Sequence, residues 1–361
     1  MTSPYMQRAL ELADTVMGST CPNPSVGCVI VRDGRIVGEG ATQPAGGAHA
    51  EAMALRAAGE AARGGIAYVT LEPHAHHGRT PPCTDALIAA GVREVHAAML
   101  DPNPQVSGRG IEQLRAAGIA VTLGDGGAEA ARLLEAYVKH QATGLPFVIA
   151  KFAATLDGKI AASSGDSRWV AGDEARAWAH TFRTRIDAIM CGVNNVLLDD
   201  PQLTARPNGV TAERQPLRIV ADSRGRTPLD AKALGAGGKT LIATTDASPA
   251  AWRESIAATG AEVAVLLADA NGRVDMRALL QLLGDRGVLS LLVEGGGVLH
   301  GSLFEAKLVD KVHAIIAPKI VGGSAYPAVA GTGVARMADA VTLRDVEVIH
   351  LGSDVGFVGY V

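Results

Sequence analysis

The sequence predicts two α/β domains in tandem, and three observations carry that prediction. The chain has 361 residues, more than one domain ordinarily uses. Apolar residues make up 48 % of it, enough for two cores, while aromatics supply only 4 %, so alanine, valine and leucine must do the packing. Segments with helical spacing alternate with short apolar runs, and the alternation is interrupted at "ATGLP" (142–146) before it restarts. Gly144 and Pro146 break the helical pattern there, which places the expected domains at residues 1–142 and 146–361.

In the first part, Ser3-Pro4 suits the start of a helix whose Met6, Ala9, Leu10, Ala13, Val16 and Met17 share one face. "SVGCVIV" (25–31) and "GRIVGEG" (34–40) read as a hairpin around Arg32-Asp33-Gly34. A helix is predicted over 49–62, a strand at "IAYVTLE" (66–72), a helix from Pro82 and a strand at "EVHAAML" (94–100). Two helical stretches, "GRGIEQLRAAG" and "GGAEAARLLEAYVKHQ", flank the strand "IAVTLG" (119–124). In the second part the strands are "FVIAKFAA", "DAIMCG", "LRIVADS", "KTLIATT", "AEVAVLL" and "VLSLLVEGGG", with helices around 174–185 and 276–283. Strands alternating with helices imply mainly parallel sheets with crossover helices.

Charge and cysteine usage narrow the class. A net charge of −4 argues against a surface that holds nucleic-acid phosphates, though not against a local pocket for one phosphorylated metabolite. Cys21, Cys28, Cys83 and Cys191 are dispersed with no CxxC pair, which suits a reducing cytosol rather than a disulfide framework. The first residues lack a basic region followed by an apolar core, and no apolar run reaches membrane-spanning length. The expectation is a soluble cytoplasmic protein that binds neither nucleic acid nor membrane.

Chemistry concentrates in two motifs of the first part. "HAE" (49–51) and "PPC" (81–83) each stand at a predicted helix start, and the positive end of a helix favours the thiolate a metal needs. His-x-Glu with a downstream Pro-Cys is a pattern of zinc-dependent deaminases, in which three protein ligands leave a fourth position for water. Glu51 would be the proton carrier beside the metal. The runs "CPNPSVGCVIV", "HAEAMALRAAG", "YVTLEPHAHHGRTPPC" and "DPNPQVSGRG" resemble the N-terminal half of the bifunctional riboflavin-biosynthesis deaminase/reductase family. In that family the ligands are the His of HAE, the Cys of "LEPC" and the Cys ending "TPPC". His49 and Cys83 match, whereas the middle position is His74 here.

Three readings of His74 stand at this point. Imidazole replaces thiolate as a ligand, giving a His2Cys site, which zinc accepts; or His74 fills space and the deaminase is inactive; or His76 or His77 is recruited. The intact Glu51 favours the first. The resemblance further implies that Asn23, His76 and Arg79 contact substrate, and Thr42 departs from the histidine that family members often carry there.

In the second part "VLSLLVEGGGVLHGSLFE" is a strand, a glycine cluster and a helix start, a turn that admits a diphosphate. It lacks the G-x-G-x-x-G spacing of a dinucleotide fingerprint. "KFAATLDGKIA", "GDSRWVAG", "VLLDDPQLTAR", "ADSRGRTP" and "LVEGGGVLHGSL" stand in the order seen in the reductase half of the same family. The resemblance therefore implies a cytidine-deaminase-like α/β/α domain followed by a dihydrofolate-reductase-like α/β domain that uses NADPH. By the same resemblance Ala153, Trp169, Asn195, Asp199, Ser223 and the loop containing Gly295, Gly296, Gly297 and Gly301 would bind cofactor. Substrate would meet Ser167, Arg183, Leu203, Arg206 and Glu294. Arg224 is added here as a partner for the cofactor 2′-phosphate, and Asp199 as the proton-handling group, with Asp200 and Asp157 as rivals.

The activity so implied is hydrolytic deamination of 2,5-diamino-6-(5-phosphoribosylamino)pyrimidin-4(3H)-one, then reduction of the ribosyl side chain to ribityl. Zinc and NADPH are the implied cofactors, and a homodimer or higher homo-oligomer through the reductase domain the implied assembly. Alternatives are a reductase with an inactive first domain, a nucleic-acid editor, which the charge disfavours, and a non-enzymatic nucleotide-binding module.

Overall fold

The computed structural model describes residues 2–77, 81–324 and 326–361. The chain divides into two compact units, Met1–Leu145 and Pro146–Val361.

The first unit runs α1 (Pro4–Thr15), β1 (Gly27–Arg32), β2 (Arg35–Ala41), α2 (Ala50–Ala58), β3 (Ile66–Val69), α3 (Cys83–Ala90), β4 (Glu94–Ala97), α4 (Arg109–Ala116), β5 (Ala120–Leu123), α5 (Gly127–Leu133) and α6 (Glu135–Thr143). The Ser3 hydroxyl accepts the Met6 N–H and Pro4 opens α1, as its sequence implies. Met6, Ala9, Leu10 and Ala13 are buried, while Val16 is already the C-cap. The sheet order is β2-β1-β3-β4-β5. β1 pairs antiparallel with both β2 and β3, and the β3–β4 and β4–β5 pairs are parallel.

Gly40 lies opposite Cys28 on β1, so these two face α2. The intervening Gly27, Val29 and Val31 face the other way, where α1 packs. Helices on both faces of a fully buried β1 give an α/β/α unit, which is why "GCVIV" is a continuous apolar run rather than an alternating one. The stretch expected as one helix over 126–141 is two, α5 and α6, and the helix expected over 49–62 ends at Ala58 in a 3-10 turn.

The second unit runs β6 (Phe147–Thr155), α7 (Asp173–Arg183), β7 (Ala188–Gly192), α8 (Val193–Asp199), β8 (Leu217–Ala221), β9 (Thr240–Thr244), α9 (Ala250–Ala258), β10 (Glu262–Val265), α10 (Met276–Asp285), β11 (Ser290–Val293), α11 (Gly297–Glu305), β12 (Lys311–Ala317), β13 (Arg344–Leu351) and β14 (Asp354–Tyr360). Its sheet order is β10-β9-β8-β7-β11-β6-β12-β14-β13. Pairs from β10 to β6 are parallel, as expected. The remainder corrects the sequence reading: β12, β14 and β13 lie in a stretch where no strand was expected, β12 pairing parallel with β6 and β14 and β13 joining antiparallel, and the helices α8 and α9 were not expected either. β13 is exposed at most positions, and Arg344, Asp345, Glu347 and His350 interrupt its Val346, Val348, Ile349 and Leu351, so it has no continuous apolar run of the kind that marks the parallel strands.

Candidate active sites

In the first unit, His49 is the N-cap of α2 and Glu51 lies in the first turn. A Cβ at Gly38 would lie 2.2 Å from Ala54 O, and one at Gly40 would lie 2.3 Å from Ala50 O. The glycines of "GEG" thus let the helix backbone touch β2, and this contact sets the depth of His49 and Glu51. Cys83 is the first residue of α3, and the N–H and hydroxyl of Thr84 each donate to the His74 carbonyl at 3.3 Å. Glu72, buried in the same loop, accepts the backbone N–H groups of Asp101, Gly108, Gly110 and Ile111 at 3.2, 2.9, 3.0 and 3.3 Å.

These elements bring His49, His74 and Cys83 together, with one ligand atom from each within 4.8 Å of the others. Cys83 Sγ lies 3.6 Å from His49 Nδ1, and the two imidazole centroids are 4.7 Å apart. A tetrahedral zinc with nitrogen and sulfur donors holds them about 3.5 Å apart, so the donor set and its spacing fit that metal. His76 and His77 are outside this group: His76 presents its ring to His74 at 5.4 Å and lines the neighbouring cavity, and His77 is exposed.

Burial, and then the neighbouring Glu51 carboxylate, push the Cys83 thiol well up and oppose the pull of the helix start, so deprotonation accompanies metal binding. Burial also raises Glu51, although its own backbone N–H, His49 and Cys83 draw it partly back. A buried carboxyl with a raised pKa suits proton transfer near neutral pH.

The cavity over these groups has a volume of ≈ 320 Å³ and is lined by Asn23, Thr42, Glu51, His76, Asp101, Asn103 and Tyr137, among others. Thr42 is engaged with the Val26 backbone. Arg79 lies outside the described residues. Sequence reasoning assigned no role to Asp101, Asn103 or Tyr137. "DPNP" held the first two in view, but Tyr137 reaches the cavity from α6 and gave no local signal; its hydroxyl donates to Asp101 Oδ1 at 2.9 Å.

In the second unit, Gly295 and Gly296 lie against α8: the Gly192 N–H donates to Gly295 O at 2.9 Å, and a Cβ on Gly296 would meet Asn195 Oδ1 at 2.8 Å. A Cβ on Gly297 and Gly301 would lie 2.1 Å from Pro327 O and 1.6 Å from Ala330 O, so these two glycines also admit the chain's own 327–331 segment. What the loop offers a diphosphate is backbone: Gly295, Gly296 and Gly297, the last being the first residue of α11. Trp169 is 62 % exposed with the Arg176 guanidinium 4.3 Å over its ring, and Arg224 is exposed beside Ser223. Ser223 Oγ accepts the Val274 N–H, and Ala153 sits in β6 opposite Ile315. A glycine turn at a helix start, an open indole and an open guanidinium fit the diphosphate, ring and phosphate of NADPH.

The expected substrate residues form two groups. The Ser167 hydroxyl donates to Asp199 Oδ1 at 2.6 Å. The rivals of Asp199 are occupied: Asp200 pairs with Lys232 at 3.1 Å, and Asp157 is held at about 2 by the Thr155 hydroxyl and the Gly322 N–H. In the other group, Arg183 Nε and Nη2 donate to Glu294, and Nη1 donates to Thr204 O at 2.8 Å. The guanidinium fork expected to grip a phosphate is therefore engaged inside the protein. Arg206 bonds Gln202 and Thr204 through Nη1, which leaves its Nε–Nη2 edge without a protein partner among the described residues. Leu203 is 3 % exposed, so what it offers a ligand is backbone. Burial opposes ionisation of Glu294, but Arg183 and then Lys151 overcome it and hold the carboxyl at about 2. Lys151 is a residue the sequence reading passed over, although a lysine inside "FVIAKFAA" was its signal; burial pushes its ammonium down while Glu294 draws it back.

Residues 2–99 match the family described as the cytidine and deoxycytidylate deaminase zinc-binding region, and residues 146–357 match the RibD C-terminal domain. The riboflavin biosynthesis protein RibD of Escherichia coli K12 is 43 % identical, over 97 % of each chain. Its counterpart in Aquifex aeolicus is 40 % identical, over 97 % of this chain and 96 % of that one. The structure of Acinetobacter baumannii RibD superposes with a TM-score of 0.89 at 38 % identity, covering 99 % of this chain and 97 % of that chain. A Thermotoga maritima structure described as a diaminohydroxyphosphoribosylaminopyrimidine deaminase/5-amino-6-(5-phosphoribosylamino)uracil reductase gives 0.86 at 34 % identity with the same coverage. With both halves matched in order and over almost the full length, the chain belongs to the RibD family of bifunctional riboflavin-biosynthesis enzymes, a zinc-dependent deaminase followed by an NADPH-dependent reductase.

Proposed function

We propose that the first unit hydrolytically deaminates 2,5-diamino-6-(5-phosphoribosylamino)pyrimidin-4(3H)-one and that the second reduces the ribosyl side chain of the product to ribityl. The observation that carries the reading is the convergence of His49, His74 and Cys83 beside a buried Glu51 at the floor of a cavity. It favours an active deaminase over a reductase with an inert first domain.

His49, His74 and Cys83 would hold the metal. When bound, zinc supplies Lewis acidity, lowering the pKa of a water at its open position to about 7. Glu51 would carry one proton from the attacking water to the ring nitrogen and then the second, from the new hydroxyl, to the departing amino group, which leaves as ammonia. Asn23 and His76 orient the pyrimidine from the cavity wall, and Arg79 is assigned to the phosphate end from its sequence position alone.

In the second unit Ala153, Trp169, Asn195, Asp199, Ser223 and the loop containing Gly295, Gly296, Gly297 and Gly301 would bind the cofactor, with Arg224 on its 2′-phosphate. NADPH, when bound, supplies the hydride. Arg206 offers its open edge to the substrate 5-phosphate, and a guanidinium edge matches phosphate geometry. Arg183 holds Glu294 toward the site, Leu203 contributes backbone, and Asp199, oriented by Ser167, moves the proton as the ribosyl ring opens. The burial of Lys151 beside Glu294 supports a second proton route, which Glu294→Gln separates from Asp199→Asn by which variant loses kcat.

The test is a two-reading assay: ammonia release from the diaminopyrimidine, and NADPH oxidation with the deaminated product supplied directly. Glu51→Ala should lose the first alone and Asp199→Ala the second alone; loss of neither refutes the assignment. A cytoplasmic location is part of the proposal, supported by four dispersed cysteines with no CxxC pair, and no helix among the described residues is long and apolar enough to cross a membrane. So is a homo-oligomer through the second unit, supported by edge strand β13, where Val346 and Val348 are exposed. Sedimentation as a monomer at micromolar concentration would refute it.

A further inference from the structure

The segment that delivers Arg206 is held residue by residue. Leu203 has a left-handed backbone with φ 53°, and each of the next three residues is pinned by a hydrogen bond. Thr204 O accepts from Arg183 Nη1 at 2.8 Å. The Gln215 amide clamps Ala205 at both its N–H and its carbonyl, at 2.7 and 3.0 Å. The N–H of Arg206 itself is directed at His180 Nδ1 on α7, at 3.3 Å. The same nitrogen lies 3.4 Å from Arg183 Nη1.

A ring nitrogen that accepts a backbone N–H carries no proton, so the imidazole proton is on Nε2. Burial, and then the cations of Arg183 and Arg206, push His180 down to about 4, while Glu294 and the Thr204 carbonyl act the other way. Protonation would turn Nδ1 into a donor facing two donors, and Arg206 would lose its backbone anchor. Sequence reasoning gave His180 no role, because its partners come from a segment more than 20 residues downstream.

We propose that His180 is a positioning residue of the reductase site: as the neutral Nε2–H tautomer it anchors the Arg206 backbone and separates that arginine from Arg183, so that the Arg206 guanidinium meets the substrate phosphate. This rests on the assignment of Arg206 to the phosphate end of the substrate. His180 acts through Arg206 and touches none of the reacting atoms.

The test compares His180→Ala, His180→Asn and His180→Gln in the reductase assay of the full-length protein, with the deaminated pyrimidine phosphate and with its dephosphorylated form. Asparagine places an acceptor oxygen near the position of Nδ1, whereas glutamine places it near Nε2. His180→Ala should raise KM for the phosphorylated substrate about tenfold, with kcat within about twofold and KM for NADPH unchanged. His180→Asn should restore KM to within about twofold, His180→Gln should not, and none should alter KM for the dephosphorylated compound. A KM unchanged in His180→Ala, or asparagine behaving like glutamine, overturns the proposal; the asparagine–glutamine contrast decides it alone if the alanine variant does not fold. Arg206→Ala separates the two levels. If it leaves KM for the phosphorylated substrate unchanged, the phosphate assignment fails; if it raises KM while His180→Ala does not, only the role of His180 fails.

Discussion

Replacing Gly40 with alanine inserts a methyl group between β2 and α2. The new Cβ would lie 2.3 Å from Ala50 O, 2.5 Å from Ala54 N and 2.6 Å from Met53 Cβ. Ordinary contact is about 3.4 Å, so the first turn of α2 must retreat by about 1 Å. Two of the three obstacles are helix backbone, which no rotamer change relieves. Ala50 stands between His49 and Glu51, so the proposed metal ligand and the proposed proton carrier move together, and the 3.6 Å between His49 Nδ1 and Cys83 Sγ opens beyond what a tetrahedral site tolerates. A misplacement of about 1 Å costs on the order of 100-fold in rate. Ammonia release should therefore fall about 100-fold and zinc content should drop. NADPH oxidation with supplied deaminated product should stay within about twofold, because Gly40 is in the other unit. Both rates and metal content are read on one preparation. Full zinc loading with ammonia release within about threefold of wild type would show that the strand–helix contact does not set the site.

Three further outcomes are expected. His74→Ala should lose zinc by elemental analysis, while His74→Cys should retain it with the acid limb of deamination moved to higher pH, since a thiolate in place of a neutral imidazole makes the site one unit less positive; an unchanged or lower limb counts against ligation by His74. Glu51→Gln should retain zinc and lower the deamination rate by roughly 10²–10⁴-fold, the usual contribution of a positioned proton carrier; a rate within tenfold of wild type removes Glu51 from that role. His313, 4 % exposed, is pushed down to about 3 by burial and then by Lys311 and Lys151. Unfolded, it takes up a proton below about 6.5. The unfolded chain therefore binds more protons between those values, and stability falls as pH drops through that window, by at most about 1.4 kcal/mol per pH unit. His313→Phe, packed between Trp178 and Phe182, should flatten the loss in melting temperature of the second unit between pH 7 and 5, and an identical slope in both proteins refutes the assignment.

Local patterning made much of this molecule readable. The Ser3-Pro4 cap, the apolar run of β1 and the parallel strands β6 to β11 with helices α7 and α10 depend on neighbours a few residues apart, and they form where the sequence implies. The proposed ligands His49 and Cys83 were visible for a related reason: each sits at a helix start whose signal is contiguous. β13 was not readable, because a charged edge strand acquires its pairing from β14 and not from an apolar period. Tyr137 was invisible in the same way, since its bond to Asp101 joins residues 36 positions apart in the chain.

Which reactive groups exist, in what order and on which kind of element, was written into the linear chain, because residue identity and hydrophobic period are local properties. What each group is free to do was settled by folding. Glu294 comes from 111 residues away to occupy the Arg183 fork, the 327–331 segment fills the space that Gly297 and Gly301 leave, and His180 takes up the amide of Arg206. A buried ion pair, a backbone contact and a hydrogen bond to a neutral ring each need both partners in place, and closure of the chain supplies the second partner.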